Sequence, residues 1–191
     1  IGQGAQGHLR HRLICRNTDF RLPSEDDLPT HDIYAAITTD EARNRLIVDD
    51  VLGTLAEGRS PIILTERRDH LELLAAMVAK SARNVIVLRG AMGTRERRAT
   101  AERLAAIPDG EERVLVATGR YLGEGFDDVR LDTLFLAMPV SWKGTVVQYA
   151  GRLHRLHAGK AEVRIYDYLD GNVPPLVRMF RRRLRGYQAM G

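Results

Sequence analysis

The reading of the fold turns on Thr145-Val146-Val147-Gln148-Tyr149-Ala150-Gly151-Arg152-Leu153-His154-Arg155. Read as a helix, this stretch places Gln148, Arg152 and Arg155 at i, i+4 and i+7, on one face. That face carries one amide and two guanidinium groups, and Gly151 beside them leaves room for close backbone approach. Two permanently charged planar forks on one face suit an anionic ligand with several oxygens, of which phosphate is the commonest. Most arginine-rich helices are simply solvated. Val146, Val147 and Leu153 argue against that here, because they set apolar groups around the polar face and predict an embedded segment.

Upstream, short apolar runs alternate with amphipathic stretches. Residues 61–65 (PIILT), 85–88 (VIVL), 114–117 (VLVA) and 133–137 (TLFLA) read as buried strands, and 163–168 as one more. Between them, 68–80 is helical, with Leu71, Leu74, Ala75 and Val78 at i, i+3, i+4 and i+7, and 94–106 is a second helix. Thr39-Asp40-Glu41 opens an earlier helix that Gly58 ends, and 11–16 is a short strand. Residues 17–31, with Pro23, Pro29 and an acidic cluster, read as loop, and 1–10 as linker. The tail 174–190 is helical. Its run of Arg181, Arg182, Arg183 and Arg185 reads as a solvated face, with a nucleic-acid grip as the alternative.

Strands alternating with helices predict an α/β domain with a mostly parallel sheet and helices on both faces. Ligands of such sheets sit at the carboxyl ends of the strands. Thr65, Gly90, the stretch 118–127 (TGRYLGEGFD) and residues 142–145 all follow strands, so all are expected at one edge. Trp142 reads as packing rather than a base-stacking platform. His154 and His157 have no cysteine or carboxylate cluster beside them in the sequence.

Composition narrows the class. The 191 residues are 44% hydrophobic and 28% charged, as in a globular domain with a core. No apolar run approaches the roughly 18 residues of a membrane span, so no membrane partner is expected. The single Cys15 excludes an internal disulfide, and a reducing cytoplasm is the expected setting. Net charge is +4 and the pI about 9.5, which permits a nucleic-acid partner without demonstrating one.

On these residues, the stretch 61–169 resembles the second, C-terminal RecA-like domain of a superfamily-2 DEAD/DEAH-type helicase or translocase. Gln148, Gly151, Arg152 and Arg155 match the family's sixth motif, Gln-x-x-Gly-Arg-x-x-Arg, in full. Ala117-Thr118 through Gly125-Phe126-Asp127 resembles the fifth motif, and Ile63-Leu64-Thr65 the fourth. Gly90 with Thr94 and Arg97 resembles the strand end and helix start that grip a nucleic-acid backbone.

The resemblance implies a three-layer RecA-like domain of the P-loop NTPase type. It also implies ATP and Mg²⁺ held mainly by a missing N-terminal RecA-like domain of the same parent chain. Arg155 is then the arginine finger, Arg152 a phosphate ligand or the support of that finger, and Gln148 a contact to the nucleotide or the attacking water. Gly125 and Asp127 line the nucleotide cleft, while Thr65, Gly90, Arg97 and Thr118 contact nucleic acid. Gln rather than His at position 148 tilts the expectation to DNA, and 37–64 resembles bacterial helicases of that group.

The expected layout is a connection over 1–31, the domain over 32–172 and a basic helix over 173–191. The sequence does not begin with Met and has neither a Gly-x-x-x-x-Gly-Lys-Ser/Thr loop nor a strand-ending Asp-Glu pair. It is therefore expected to be a piece that does not hydrolyse ATP by itself. Two other readings stay open: a non-catalytic nucleic-acid- or phosphate-binding module, and a doubly wound transferase binding a sugar nucleotide at 119–125.

Overall fold

The structure, a computed structural model, describes residues 10–23, 28–119, 121, 128–140, 150, 151, 153 and 160–190. Six strands, β1 (Arg10–Thr18), β2 (Pro61–Thr65), β3 (Val85–Leu88), β4 (Val114–Thr118), β5 (Thr133–Leu136) and β6 (Glu162–Asp170), form one sheet. Their order is β1-β6-β5-β2-β4-β3, and every pairing is parallel. All six carboxyl ends therefore lie along one edge.

The strand residues alternate between two apolar layers, as the period of two requires. Ile62, Leu64, Leu115 and Leu134 face one side, where Leu104, Ala150 and Leu153 cover them. Ile63, Val116 and Phe135 face the other, where helices α2 (Glu41–Ala56) and α3 (Arg68–Val78) contribute Ile47, Val51, Leu71 and Leu74. Helix α4 (Thr94–Ala105) supplies Leu104 to the first layer. Helices α1 (Thr30–Thr39) and α5 (Pro174–Met190) meet in a small third cluster of Phe20, Ile33, Ile37, Met138, Val173 and Leu176. Helix α2 starts where Asp40 accepts a hydrogen bond from the Arg43 amide at 2.7 Å, and the chain leaves it through Gly58 at φ 76. No helix among the described residues is long and apolar enough to cross a membrane.

The domain is wider than its expected limits of 32–172. Residues 10–18 are not connecting chain: β1 pairs with β6 from Arg10↔Glu162 to Thr18↔Asp170. Its apolar pair explains this, since Leu13 packs against one core layer and Ile14 against the other. Part of the expected loop is helical too, because α1 begins at Thr30, after Pro29. Nor is the C-terminal helix an appendage. Arg183 is 1% exposed and donates to both Asp167 oxygens at 2.7 and 2.9 Å, so the arginine run is only partly solvated.

A second buried pair ties the ends of the chain to its middle. Arg43 donates to Asp170 through Nε (2.8 Å) and Nη2 (3.2 Å) and to the Ala137 carbonyl through Nη1 (2.6 Å). Thr18 adds its hydroxyl to the same carboxylate. Asp170 thereby joins β1, α2, the end of β5 and β6 at the carboxyl edge.

Candidate nucleic-acid and phosphate interface

The carboxyl edge assembles the described site residues from the strand ends. Thr118 closes β4, and Gly90 lies two residues past the end of β3, its neighbour in the sheet. The Gly90 amide donates to Thr118 Oγ1 at 3.2 Å. That bond uses an acceptor site of the hydroxyl and leaves its proton for an outside acceptor, such as a phosphate oxygen. Both residues are half-buried.

Arg97 sits in the opening turns of α4, whose N-cap, Gly93, offers no side-chain cap. The amides of that first turn and the positive end of the helix dipole suit an anion. Arg97 itself is half-buried. Its Nε donates to the Met92 carbonyl at 3.1 Å, and its guanidinium lies 5.5 Å from the centre of the Tyr121 ring. Tyr121 was not singled out from the sequence, although it lies within the Gly-rich stretch that was. Gly90, Thr118, Arg97 and Tyr121 thus share one corner of the edge.

Thr65 occupies a different environment. It is 1% exposed, and its hydroxyl is 3.0 Å from His70 Nδ1. His70 Nε2 is 2.8 Å from Asn44 Oδ1, while Asn44 Nδ2 donates to the Thr38 carbonyl at 2.9 Å. These partners fix the direction of every bond. Asn44 uses its amide on Thr38, so its oxygen accepts from His70 Nε2–H, and Nδ1 accepts the Thr65 proton. Burial above all, helped by the charge of Arg43, lowers the His70 pKa to about 3 and keeps the ring neutral. The Thr65 proton is spent inside the protein; what the residue supports is the backbone of the turn after β2, where the Arg67 amide donates to its oxygen (3.4 Å).

Gln148, Arg152, Arg155, Gly125 and Asp127 lie outside the described residues. Of their stretch, Ala150 and Leu153 are buried at 0% and 2% in the core layer. Gly151 is exposed, and a Cβ built on it would meet nothing within 4 Å. The side of the chain at Gly151 is open for approach.

One structural element was missed in the sequence. Arg130 donates to the carbonyls of Leu104 (3.2 Å) and Ile107 (2.9 Å), where α4 ends. Asp128 grips Arg130 with both oxygens and lies 3.6 Å from Arg113. Burial opposes the charge on Asp128, but the Arg130 hydrogen bonds and the charge of Arg113 outweigh it and hold the carboxyl below its ordinary range. The residues that follow 118–127 therefore anchor the helix whose other end carries Arg97.

This fold is that of the second RecA-like domain of superfamily-2 helicases. T4 UvsW superposes with a TM-score of 0.71 at 20% identity, covering 95% of this chain and 39% of that one. Domain 2 of the DEAD-box helicase Mss116p, solved bound to an RNA duplex, gives 0.52 at 14% identity, over 88% of this chain and 57% of that one. The chain belongs to the helicase conserved C-terminal domain family, whose model matches residues 43–157. Transcript termination protein A18 of fowlpox virus (strain NVSL) is 25% identical over 153 residues, 78% of this chain and 32% of that protein. Its cowpox virus (strain Brighton Red) counterpart is 27% identical over 150 residues, 78% of this chain and 28% of that protein. The chain thus spans about a third or less of the length of these relatives. Both are viral, whereas the expectation drawn from 37–64 is bacterial.

Proposed function

We propose that this domain is the second half of an ATP-dependent nucleic-acid motor, a helicase or translocase whose track is DNA. The observation that carries the reading is the corner where Gly90 aligns the Thr118 hydroxyl beside Arg97 and the uncapped start of α4. It offers hydrogen-bond donors and positive charge to a phosphodiester backbone and reads no base, as a moving motor requires. Thr65 serves that corner at a distance, by holding the turn after β2.

In this reading an N-terminal RecA-like domain brings ATP and Mg²⁺ to the open side at Gly151. ATP held there would supply the phosphoryl group whose transfer to water drives the cycle. Arg155 would offer its guanidinium to the γ-phosphate and stabilise the charge that develops there. Such a residue is worth roughly 10³–10⁵ in rate in the GTPases where it has been measured. Arg152 binds phosphate or steadies Arg155, Gln148 orients the nucleotide or the water, and Gly125 and Asp127 line the cleft.

The test is ATP hydrolysis by the full chain with single- and double-stranded DNA and RNA, beside Arg155→Ala. Stimulation by DNA, lost in the variant while DNA affinity stays within about threefold (under 1 kcal/mol), supports the motor. Absence of turnover with any polymer would leave a domain that binds only.

A further inference from the structure

Helix α5 turns four arginines outward. Arg178, Arg181, Arg182 and Arg185 are all exposed, and their spacing of i, i+3, i+4 and i+7 sets them in one stripe. The opposite stripe, Leu176, Phe180, Arg183 and Tyr187, is buried. Arg183 and the Tyr187 hydroxyl (2.9 Å) both donate to Asp167, which fixes the rotation of the helix about its axis. The outer stripe is fixed with it.

Among the described residues, these four guanidiniums form no ion pair or hydrogen bond within the protein. Arg16, Arg67, Arg89 and Arg98, by contrast, each reach a carboxylate, while other exposed arginines such as Arg45, Arg68 and Arg95 stand apart from one another along the chain. Residues 174–190 contain no Asp or Glu at all. Like charges three and four residues apart repel, and Arg178 stands near the positive end of the helix dipole. A surface that gathers such repulsion with no counter-charge of its own is complementary to a polyanion. Arginine also suits phosphate better than lysine does, because its planar fork meets two oxygens at once.

The stripe starts where the track would be. Val173 and Leu176 pack with Phe20 and Met138 at the carboxyl edge, so Arg178 lies within one turn of it. In the sheet order, β6 beneath α5 stands three strand spacings from β4 and Thr118, roughly 14 Å. A strand crossing the edge from Thr118 reaches the stripe within a few nucleotides. From residue 178 to 185 the helix rises about 10 Å, about three steps of 3.4 Å along a strand, so the stripe can face about four successive phosphates.

We propose that the outer face of α5 is a second nucleic-acid contact, gripping the phosphodiester backbone, independent of sequence, as it leaves the carboxyl edge. The proposal rests on the nucleic-acid reading above. Its test compares the full chain with Arg178→Gln/Arg181→Gln/Arg182→Gln/Arg185→Gln and with the four corresponding Arg→Lys changes. Fluorescence anisotropy of labelled mixed-sequence duplex and single-stranded DNA is followed across a salt titration.

Four lost phosphate contacts should lower the slope of log affinity against log salt by about 3.6 for duplex and about 2.8 for a single strand. A fourfold rise in salt would then cost the Gln variant's duplex affinity roughly a hundredfold less than it costs the parent's. The Lys variant should keep the slope, and both variants should melt no earlier than the parent, since no internal bond is removed. A parent that binds DNA with a slope the Gln variant shares overturns the stripe and leaves the motor reading standing. A parent that binds no nucleic acid overturns both. An unchanged DNA slope with lost binding to phosphatidylserine vesicles would make the stripe a membrane surface, against the proposal.

Discussion

His70 shows how a single side chain can make stability depend on pH in this domain. The ring is 0% exposed, and both nitrogens are committed, to Thr65 and Asn44. Folded, it titrates at about 3, against an ordinary 6.5. Between those values the unfolded chain takes up a proton that the folded one refuses. The stability this residue gives is complete above pH 6.5 and is lost progressively as the pH falls towards 3, by up to about 1.4 kcal/mol per pH unit. In urea titrations across that window, His70→Gln is expected to lose stability less steeply with acidity than the parent; equal slopes would sink the assignment. The same relay, which commits the Thr65 hydroxyl to His70, is not legible in the sequence alone. A hydroxyl at a strand end looks available to a ligand, and its commitment depends on Asn44, far away in the chain. Gly90 and Thr118 are legible as a strand-end pair because the alternation of elements brings β3 and β4 to one edge whatever else is unknown.

Helix α4 is mounted by one end. Leu104 is its single buried residue, and the carbonyls that close it are held by Arg130. Removing that guanidinium strips the Ile107 carbonyl of its side-chain donor and leaves the Leu104 carbonyl to the Ile107 amide. It leaves Asp128 the backbone amide of residue 130 and the charge of Arg113. Arg130→Ala is expected to cost about 1–3 kcal/mol and to speed amide hydrogen exchange in α4 more than in α2 or α3. Arg130→Lys should recover only part of this, because an ammonium cannot span two carbonyls and a carboxylate as a planar fork does. Equal exchange in all three helices would mean that α4 is secured in some other way. The span of α4 is plain in the sequence, since its strong helix formers start after Gly93. Helix α1 is not, because THDIYAAITT is rich in β-branched residues and follows a proline. Within the arginine run, only the helical phase set by Leu176, Phe180 and Tyr187 separates inward Arg183 from its outward neighbours.

Over the whole molecule, the sheet is closed at one side by its first strand. β1 meets β6 alone, and its carboxyl end supplies Thr18 to Asp170. A chain beginning at residue 19 would expose the edge of β6 and strip Leu13 and Ile14 from the two core layers. It is expected to lose its near-ultraviolet circular dichroism and its cooperative urea transition, while a sharp transition with the parent's midpoint would show β1 to be dispensable. The number and direction of the strands are legible from their apolar runs. Their order is not, because a parallel partner far along the chain leaves no local sign. That order also sets a timetable for the newborn chain. Thr18 and Asp170 are 152 residues apart, so at about 5–20 residues per second a ribosome needs roughly 8–30 s to deliver the partner that β1 awaits. Throughout that interval its backbone groups stand open to any other strand, and a chaperone that shields residues 10–18 would govern the yield of folded domain.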